Sequence, residues 1–301
     1  MTIALPDRLR RSIDSLPELT DAQFAAITQR IHRETGIVIG AAKRSMLISR
    51  LAHRLRHLGL SDFAAYVRFL NSADGEMEQH ALISAITTNV TRFFREPHHF
   101  EALADTVPAL LARARAGGRI RIWSAGCSTG QEPYSIAATL IDRAPDIAQH
   151  DVRILATDID VEVIETARRG VYDPRCLDGD TPVQMRLHLR QTADGQFAVS
   201  PDLQRLIRFE PLNLLGHWPF SGQFDVLFCR NVVIYFDADT RHNLWRRFAS
   251  RVLPEGQLFL GHSERMDPRL DPYFVPCGIT RYRRTNRTLA DDGAPNPIGE
   301  S

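Results

Sequence analysis

Apolar residues recur at three- and four-residue intervals through the first quarter of the chain, a spacing typical of helices that bury one face. The first predicted helix opens with the capping-box pair Thr20 and Gln23. A second is predicted from about Ala41 to Leu58, and two shorter helices follow it. Since no strand pattern occurs before Arg119, residues 1–88 are predicted to form an all-helical N-terminal domain with a linker.

After Arg119, short apolar runs alternate with helical stretches. The predicted strands read IRIWSA, VRILATDI, FDVLFC and QLFLGH, and a helix separates each from the next. This alternation predicts an α/β domain over residues 89–284, with a mostly parallel sheet covered on both faces. Two extended pieces near Phe274 and Tyr282 are expected to add an antiparallel edge.

The alternation breaks between about residues 172 and 208. There, RQTADGQFAVS reads as a hairpin that turns at Asp194-Gly195, so we expect a small β insertion in the α/β domain. The last stretch, residues 285–301, is polar and rich in glycine and proline, and is expected to be disordered.

The composition excludes several classes of protein but does not indicate a specific function. The 301 residues favour two domains at roughly 150 residues each, and 44% hydrophobic with 24% charged residues excludes disordered and coiled-coil classes. No apolar run reaches the roughly 20 residues of a membrane span, and the N-terminus lacks a signal-peptide core. The four cysteines form no C-x-x-C pair, so a reduced, cytoplasmic protein is expected. The net charge of +1 does not indicate a nucleic-acid binder.

The segment WSAGCSTGQEPY places a glycine turn between a predicted strand and a predicted helix. Gly126 and Gly130 would leave bare backbone at the carboxyl end of the strand, where open α/β sheets bind ligands. The spacing does not form G-x-G-x-x-G, and Glu132 at the helix start would repel a pyrophosphate but suit a cationic ligand. S-adenosylmethionine, with a sulfonium and an ammonium, is such a ligand. A purely structural turn remains the alternative.

Asp158 lies at the end of the second predicted strand, in ILATDID. A carboxylate in this place can accept hydrogen bonds from both hydroxyls of a ribose. The alternative is a helix cap, because a helix is predicted to start at Val161. We assign capping to Asp160 and the ribose to Asp158, which together with the glycine turn favours a nucleoside cofactor.

Several motifs now occur in a fixed order: TTNVTRFFREPHHF, WSAGCSTGQEPYSIA, TDID, FEPLNLL, FCRNVVIYFD and LFLGHSE. In this order they resemble the chemotaxis receptor methyltransferases, the CheR family, from about Thr20 to Arg283. The resemblance implies a Rossmann-like methyltransferase fold behind a helical domain. It also implies transfer of a methyl group from S-adenosylmethionine to receptor glutamates, leaving S-adenosylhomocysteine.

The resemblance implies a cofactor site as well. Asn89 and Arg95 would close over the methionine end, Asn213 and Leu214 would frame the adenine, and Arg230 with Asn231 would lie near the methyl group. The implied cofactor residues are Asn89, Thr91, Arg95, Glu132, Asp158, Asn213, Leu214, Arg230 and Asn231.

Arg95 and Tyr235 are the candidate catalytic residues. A glutamate carboxylate, with a reference pKa of about 4.3, is already ionised at neutral pH, so orientation matters more than a base. Core packing beside Phe236 is the alternative for Tyr235. The pair His98-His99 is expected on a helix surface, and no metal site is expected.

The second predicted helix carries a cluster of cations without an intervening acid, namely Lys43, Arg44, Arg50, Arg54 and Arg56. They are interpreted as a partner-binding face for the glutamate-rich helices of chemoreceptor cytoplasmic domains, with recruitment to membrane-bound receptors. A solvated face is the alternative, and the stripe alone does not exclude nucleic acid. Rival functions are a non-catalytic adaptor and a nucleic-acid methyltransferase, although the Asp/Asn-Pro-Pro-Tyr/Phe signature of the latter is lacking.

Overall fold

The structure, a computed structural model, describes residues 18–177 and 181–288. Most of the predicted disordered tail and the extreme N-terminus lie outside the described residues. The described N-terminal part holds helices α1 to α4, at Asp21–Thr35, Arg44–Leu58, Phe63–Leu70 and Gly75–Ile86. Thr20 accepts a hydrogen bond from Gln23 N while the Gln23 side chain accepts one from Thr20 N, so the predicted capping box is confirmed.

The apolar faces of these helices pack into a core of their own. Leu47, Leu51 and Leu55 project from α2 at helical spacing and are fully buried in one cluster with Ile27 and Ile31 of α1. Helical periodicity in the sequence therefore identified the buried face of this part of the molecule.

The rest of the described chain is an α/β unit. Strands β1 to β10 are Ile120–Ala125, Val152–Asp158, Val171–Tyr172, Leu189–Gln191, Phe197–Val199, Ile207–Pro211, Phe224–Cys229, Val252–Leu260, Phe274–Gly278 and Arg281–Arg284. Helices α5 to α10 are His98–Arg115, Gln131–Arg143, Val161–Arg169, Val183–Leu187, Pro201–Leu206 and Ala238–Arg251.

The main sheet has the strand order β6-β2-β1-β7-β8-β10-β9. Its first five members pair in parallel, and β10 pairs antiparallel with both β8 and β9. The predicted parallel sheet with an antiparallel edge is confirmed. The chain leaves β1 for β2 on one side and reaches β7 on the other, which opens a crevice at the carboxyl ends of β1, β2 and β7.

Both faces of the sheet are covered, as the unbroken apolar strands predicted. One core joins Ile120 and Ile122 of β1 to α5 and α6, and the other joins Trp123 to Phe248 of α10 and to Trp218. Side chains that alternate along a single strand thus pack into the two cores on opposite faces of the sheet.

The predicted β insertion is a second sheet of order β3-β5-β4, and its hairpin turns at Asp194-Gly195, with Gly195 in the left-handed region at φ +82°. At the other end, Thr285 N donates to Tyr273 O, so ordered contacts extend past the predicted start of the tail at residue 285. Within the described ranges, no helix combines the length and apolar character needed to cross a bilayer.

Candidate functional site

A cavity of about 1230 Å³, measured out to its open mouth, lies at the carboxyl ends of β1, β2 and β7. The helical part supplies one wall and the residues that link it to the α/β unit supply another. The lining includes every residue predicted for the cofactor or for catalysis: Asn89, Thr91, Arg95, Glu132, Asp158, Asn213, Leu214, Arg230, Asn231 and Tyr235.

The floor of the cavity is the glycine turn between β1 and α6. Gly126 has φ +85°, and a Cβ added there would lie 2.3 Å from Val232 Cγ2. Gly130 has φ +97°, and its Cβ would lie 2.8 Å from the Cβ of Ala167. Glycine is required at both positions for backbone conformation and for space, because a side chain would meet Val232 at the first and Ala167 at the second.

Asp158 ends β2 at the edge of this turn. Its Oδ2 accepts a hydrogen bond from Ser128 N at 2.8 Å and its Oδ1 accepts one from Asp160 N at 3.0 Å. Burial raises the pKa of Asp158 to about 6, although these N–H bonds favour the ionised form. The carboxylate is thus held in one orientation while it faces the cavity.

Asp160 caps α7 as predicted, by accepting a hydrogen bond from Glu162 N at 3.0 Å. It also accepts hydrogen bonds from Ser84 Oγ at 2.8 Å, Thr87 Oγ1 at 3.1 Å and Asn89 Nδ2 at 2.8 Å. This junction between α4, the linker and β2 was missed in the sequence, where Asp160 showed only its capping role. The amide of Asn89 is bonded to Asp160 while the residue lines the cavity, and its expected place over the methionine end stays a prediction.

Arg230 is the centre of a buried charge network. Its guanidinium, 2% exposed, lies 3.0 Å from Glu132 Oε2 and 3.2 Å from Glu96 Oε2, and it donates to the Arg95 carbonyl. The other oxygen of Glu132 accepts a hydrogen bond from Ser124 Oγ at 2.7 Å. Burial raises the pKa of Glu132, and Arg230 opposes that rise. Both Glu132 oxygens therefore already have protein partners, which the sequence did not indicate.

Glu96 is a second residue that sequence reasoning missed. Its Oε1 accepts hydrogen bonds from the backbone N and the Nδ1 of His262, the latter at 3.0 Å. Burial alone would raise the pKa of Glu96, but Arg230 and His262 outweigh burial and lower it. In the sequence, Glu96 could have been noticed because it directly follows Arg95. Its partners, Arg230 and His262, come directly after β7 and β8.

Arg95 and Tyr235 both line the cavity, one from the linker and one from the short helix after β7. Arg95 Nη1 donates to Val90 O at 2.9 Å, while Tyr235 is half-buried and lines the cavity. The Tyr235 carbonyl accepts a hydrogen bond from Val38 N at 2.9 Å, and Lys43 Nζ lies 5.3 Å from the centre of the Tyr235 ring. Each catalytic candidate thus belongs to the cavity surface.

Asn213 and Leu214 form the far wall after β6. Asn213 Nδ2 donates to Glu34 O at 2.6 Å, and its Oδ1 accepts a hydrogen bond from Leu215 N at 2.9 Å. The amide thus ties the helical part to the α/β unit, and its expected contact with an adenine edge stays a prediction. Leu214 is buried and keeps its expected apolar place beside Leu212.

The basic face of α2 is less free than the sequence suggested. Arg44 pairs with Asp21 at 2.6 Å, and Arg50 donates to the carbonyls of Ile86 and Thr87 at the end of α4, at 2.7 and 2.8 Å. Arg54 forms a 2.6 Å ion pair with Glu78, which is 3% exposed. Three of the five cations thus have partners within the protein: Arg44 in a surface ion pair, Arg50 at the carbonyls that end α4, and Arg54 in a buried ion pair. The partner-binding role of the five stays a prediction. Lys43 and Arg56 are exposed.

His99 corrects another expectation. It is fully buried, with Nε2 2.9 Å from Thr280 Oγ1, so the pair His98-His99 is not simply helix surface. Burial lowers the pKa of His99 to about 4. Glu96, His98 and His99 bring ligand-type atoms within 4.8 Å of one another, but the Arg230 guanidinium against the same carboxylate opposes a further cation there.

Comparisons with known proteins agree with this architecture. Residues 89–283 match the family described as CheR methyltransferase, SAM binding domain, and residues 22–87 match CheR methyltransferase, all-alpha domain. The chain is 47% identical over 264 residues to a probable chemotaxis protein methyltransferase of Rhizobium etli, covering 86% of this chain and 98% of that relative. It is 45% identical over 268 residues to the chemotaxis protein methyltransferase of Escherichia coli, covering 88% and 91%. The chain therefore belongs to the CheR methyltransferase family, as a methyltransferase whose cofactor is S-adenosylmethionine.

Proposed function

We propose that this protein methylates glutamate side chains on the cytoplasmic domains of chemoreceptors, forming methyl esters and S-adenosylhomocysteine in sensory adaptation. The supporting observation is a single cavity that combines a carboxylate suited to a ribose with hydrogen-bond donors at its mouth. The names of the relatives, chemotaxis protein methyltransferases, support the same substrate class. Recruitment to membrane-bound receptors is part of the proposal.

The cavity residues fit S-adenosylmethionine. The oriented carboxylate of Asp158 would accept the ribose hydroxyls, and the turn after β1, which lines the cavity at Gly126, Cys127 and Ser128, would lie under the cofactor. Leu212 and Leu214 offer an apolar surface to the adenine. The cofactor supplies a methyl group on a positively charged sulfur, ready for attack by a nucleophile.

The chemistry asks the protein for alignment rather than for proton transfer. A glutamate carboxylate is ionised at neutral pH and must approach the methyl group in line at roughly 3 Å. Arg95 and Tyr235 would each direct one oxygen and leave a lone pair for attack. Burial raises the pKa of Cys127 and of Cys229 well above the usual range, so these thiols stay protonated and do not compete as nucleophiles.

Docking of an acidic receptor helix is proposed at the cation-lined mouth. Lys43 is exposed, lines the cavity and lies beside Tyr235, and Arg56 is exposed about three and a half turns further on, near the end of α2. These cations complement glutamate-rich helices, and such pairing would raise the rate of encounter more than the final affinity.

Single-turnover transfer from labelled S-adenosylmethionine to receptor membranes tests the proposal. The rate should be nearly flat between roughly pH 6.5 and 9, and the label should be released by mild base, as expected of an ester. Tyr235→Phe should slow transfer without abolishing it, whereas the matched change Tyr273→Phe, remote from the cavity, should leave the rate unchanged. A rate that rises tenfold per pH unit through 7, with base-stable label, would show methylation of an amine or thiol. Label in RNA or DNA, or no transfer at all, would equally overturn the proposal.

A further inference from the structure

One buried carboxylate, that of Glu264, accepts hydrogen bonds from the backbone of the loop after β7. Glu264, 3% exposed, lies in the turn that follows β8. Its Oε1 accepts hydrogen bonds from the backbone N of Val232 and of Val233, both at 2.9 Å. Its Oε2 accepts hydrogen bonds from Asn231 N at 2.9 Å and Gly261 N at 2.6 Å. Three consecutive N–H groups of the loop therefore converge on a single side chain.

This arrangement depends on the negative charge and on both oxygens of Glu264. A carboxylate offers about four lone-pair sites, and here four N–H donors occupy them. A glutamine of the same shape would turn an NH₂ group toward N–H donors, so half of the acceptors would be lost. Burial raises the pKa of Glu264 and the four N–H bonds oppose that rise. Gly261 allows the approach, since a Cβ there would lie 2.8 Å from Glu264 Oε2 and 2.7 Å from Asn231 N.

The clamped loop carries groups that face the cofactor cavity. Asn231 lies in the left-handed region, at φ +61°, a conformation that a non-glycine residue keeps only where its surroundings hold it. Val232 packs against Gly126 of the cavity floor, and Tyr235 follows within one turn. A shift at Glu264 would therefore move Asn231 and Tyr235 relative to the glycine turn.

We propose that Glu264 is a positioning residue for methyl transfer: by binding the backbone of residues 231–233, it sets the distance between Tyr235 and the cofactor. The inference rests on the proposed function, because Tyr235 is there assigned to the substrate carboxylate. Glu264 itself touches neither cofactor nor substrate. Asn231 of the same loop also lines the cavity, but the ribose would be bound by Asp158 outside the loop, so the effect should fall more on the transfer step than on cofactor affinity.

The test compares Glu264→Gln with Glu264→Asp, which keeps the charge, and with Glu101→Gln on the exposed face of α5. Thermal melting checks the fold, calorimetry gives the Kd of S-adenosylhomocysteine, and single-turnover transfer to receptor membranes gives the rate. Glu264→Gln should lower the rate at least tenfold with less than a threefold change in Kd, Glu264→Asp should recover part of it, and Glu101→Gln should match the wild type. If Glu264→Gln does not fold, Gly261→Ala disturbs the same contact with the charge retained and should give the same split.

Hydrogen exchange adds a readout that does not require a methyl acceptor. The amides of residues 231–233 should be protected in the wild type and should exchange faster in Glu264→Gln, with and without S-adenosylhomocysteine. A full transfer rate in Glu264→Gln, or unchanged exchange in this loop, overturns the inference. If Glu264→Gln lowers the transfer rate, the cofactor affinity and the melting temperature together, the inference is also overturned, because general destabilisation of the fold would then explain the lost rate. If the wild type shows the protected loop but methylates no receptor, the proposed function fails and the clamp itself stands.

Discussion

Acidification is expected to weaken cofactor binding through one group, the Asp158 carboxyl. Its pKa is raised to about 6, mainly by burial, although Ser128 N and Asp160 N both donate hydrogen bonds to it. Both ribose hydroxyls can donate only if the carboxylate is ionised, and a group with this pKa is roughly 90% protonated at pH 5. Affinity for S-adenosylhomocysteine should therefore fall about tenfold between pH 7 and pH 5.

This loss has the opposite sign to any effect of the same group on folding. A carboxyl whose pKa is raised in the folded state binds its proton more tightly there than in the unfolded chain. Between the folded value of about 6 and the ordinary 3.8, acidification therefore favours the unliganded fold as far as Asp158 is concerned. Calorimetry at pH 5, 6 and 7, with a thermal melt at each pH, separates weaker binding from unfolding.

Two variants sharpen the measurement. Asp158→Ala removes a charged acceptor and should cost about 1.5–3 kcal/mol of binding free energy at pH 7. Asp158→Asn cannot titrate, so its weaker affinity should stay flat from pH 7 to pH 5. A wild-type Kd that does not change over this range, or an Asp158→Asn Kd that rises as steeply as the wild type, would refute the assignment of the ribose to this carboxylate.

Two further predictions concern stability and the cavity floor. Arg54→Ala should lower the free energy of unfolding by about 3 kcal/mol in urea denaturation, because Glu78 stays buried without its cation. The control Arg56→Ala, on the exposed face, should cause no measurable loss. Equal effects of the two variants would contradict a stabilising buried ion pair. Gly126→Ala should abolish detectable binding of S-adenosylhomocysteine, because its Cβ would collide with Val232. Gly195 also has a positive φ, but a Cβ added there has no neighbour within 4 Å, so Gly195→Ala should keep normal affinity. An equal loss of affinity in the two glycine variants would assign the effect to backbone strain.

Much of the fold was readable because its signals are local. The strands IRIWSA and FDVLFC have the predicted bounds, and the capping pair Thr20 and Gln23 acts within one turn of helix. Period-2 and period-3.6 patterns are set by neighbouring residues, so burial of a face follows from them directly. The domain boundary at residue 88 stays a prediction, since nothing in the described geometry measures independent folding.

The candidate site was readable only in part. Asp158, the last residue of β2, was placed at the cavity because the carboxyl ends of parallel strands meet there, whereas Arg230 was placed there by the family resemblance. Their partners could not be read. The pairing of Arg54 with Glu78, of Asn213 with Glu34 O, and of Glu264 with the loop after β7 joins residues that come together only in three dimensions. A charge in the sequence does not say whether it faces solvent or a buried carboxylate.

The cavity wall from the helical part has a consequence for the order in which the protein is made. Ile37 forms a β-bridge with Phe236, and Val38 N donates to Tyr235 O, so part of the wall is fixed by residues about 200 positions further along the chain. The N-terminal helices are synthesised first and share a core among themselves. The cavity, however, is complete only after β7 and the following loop have been synthesised. The cofactor can therefore stabilise the protein by mass action only once the chain has been made as far as Phe236, the last residue that lines the cavity.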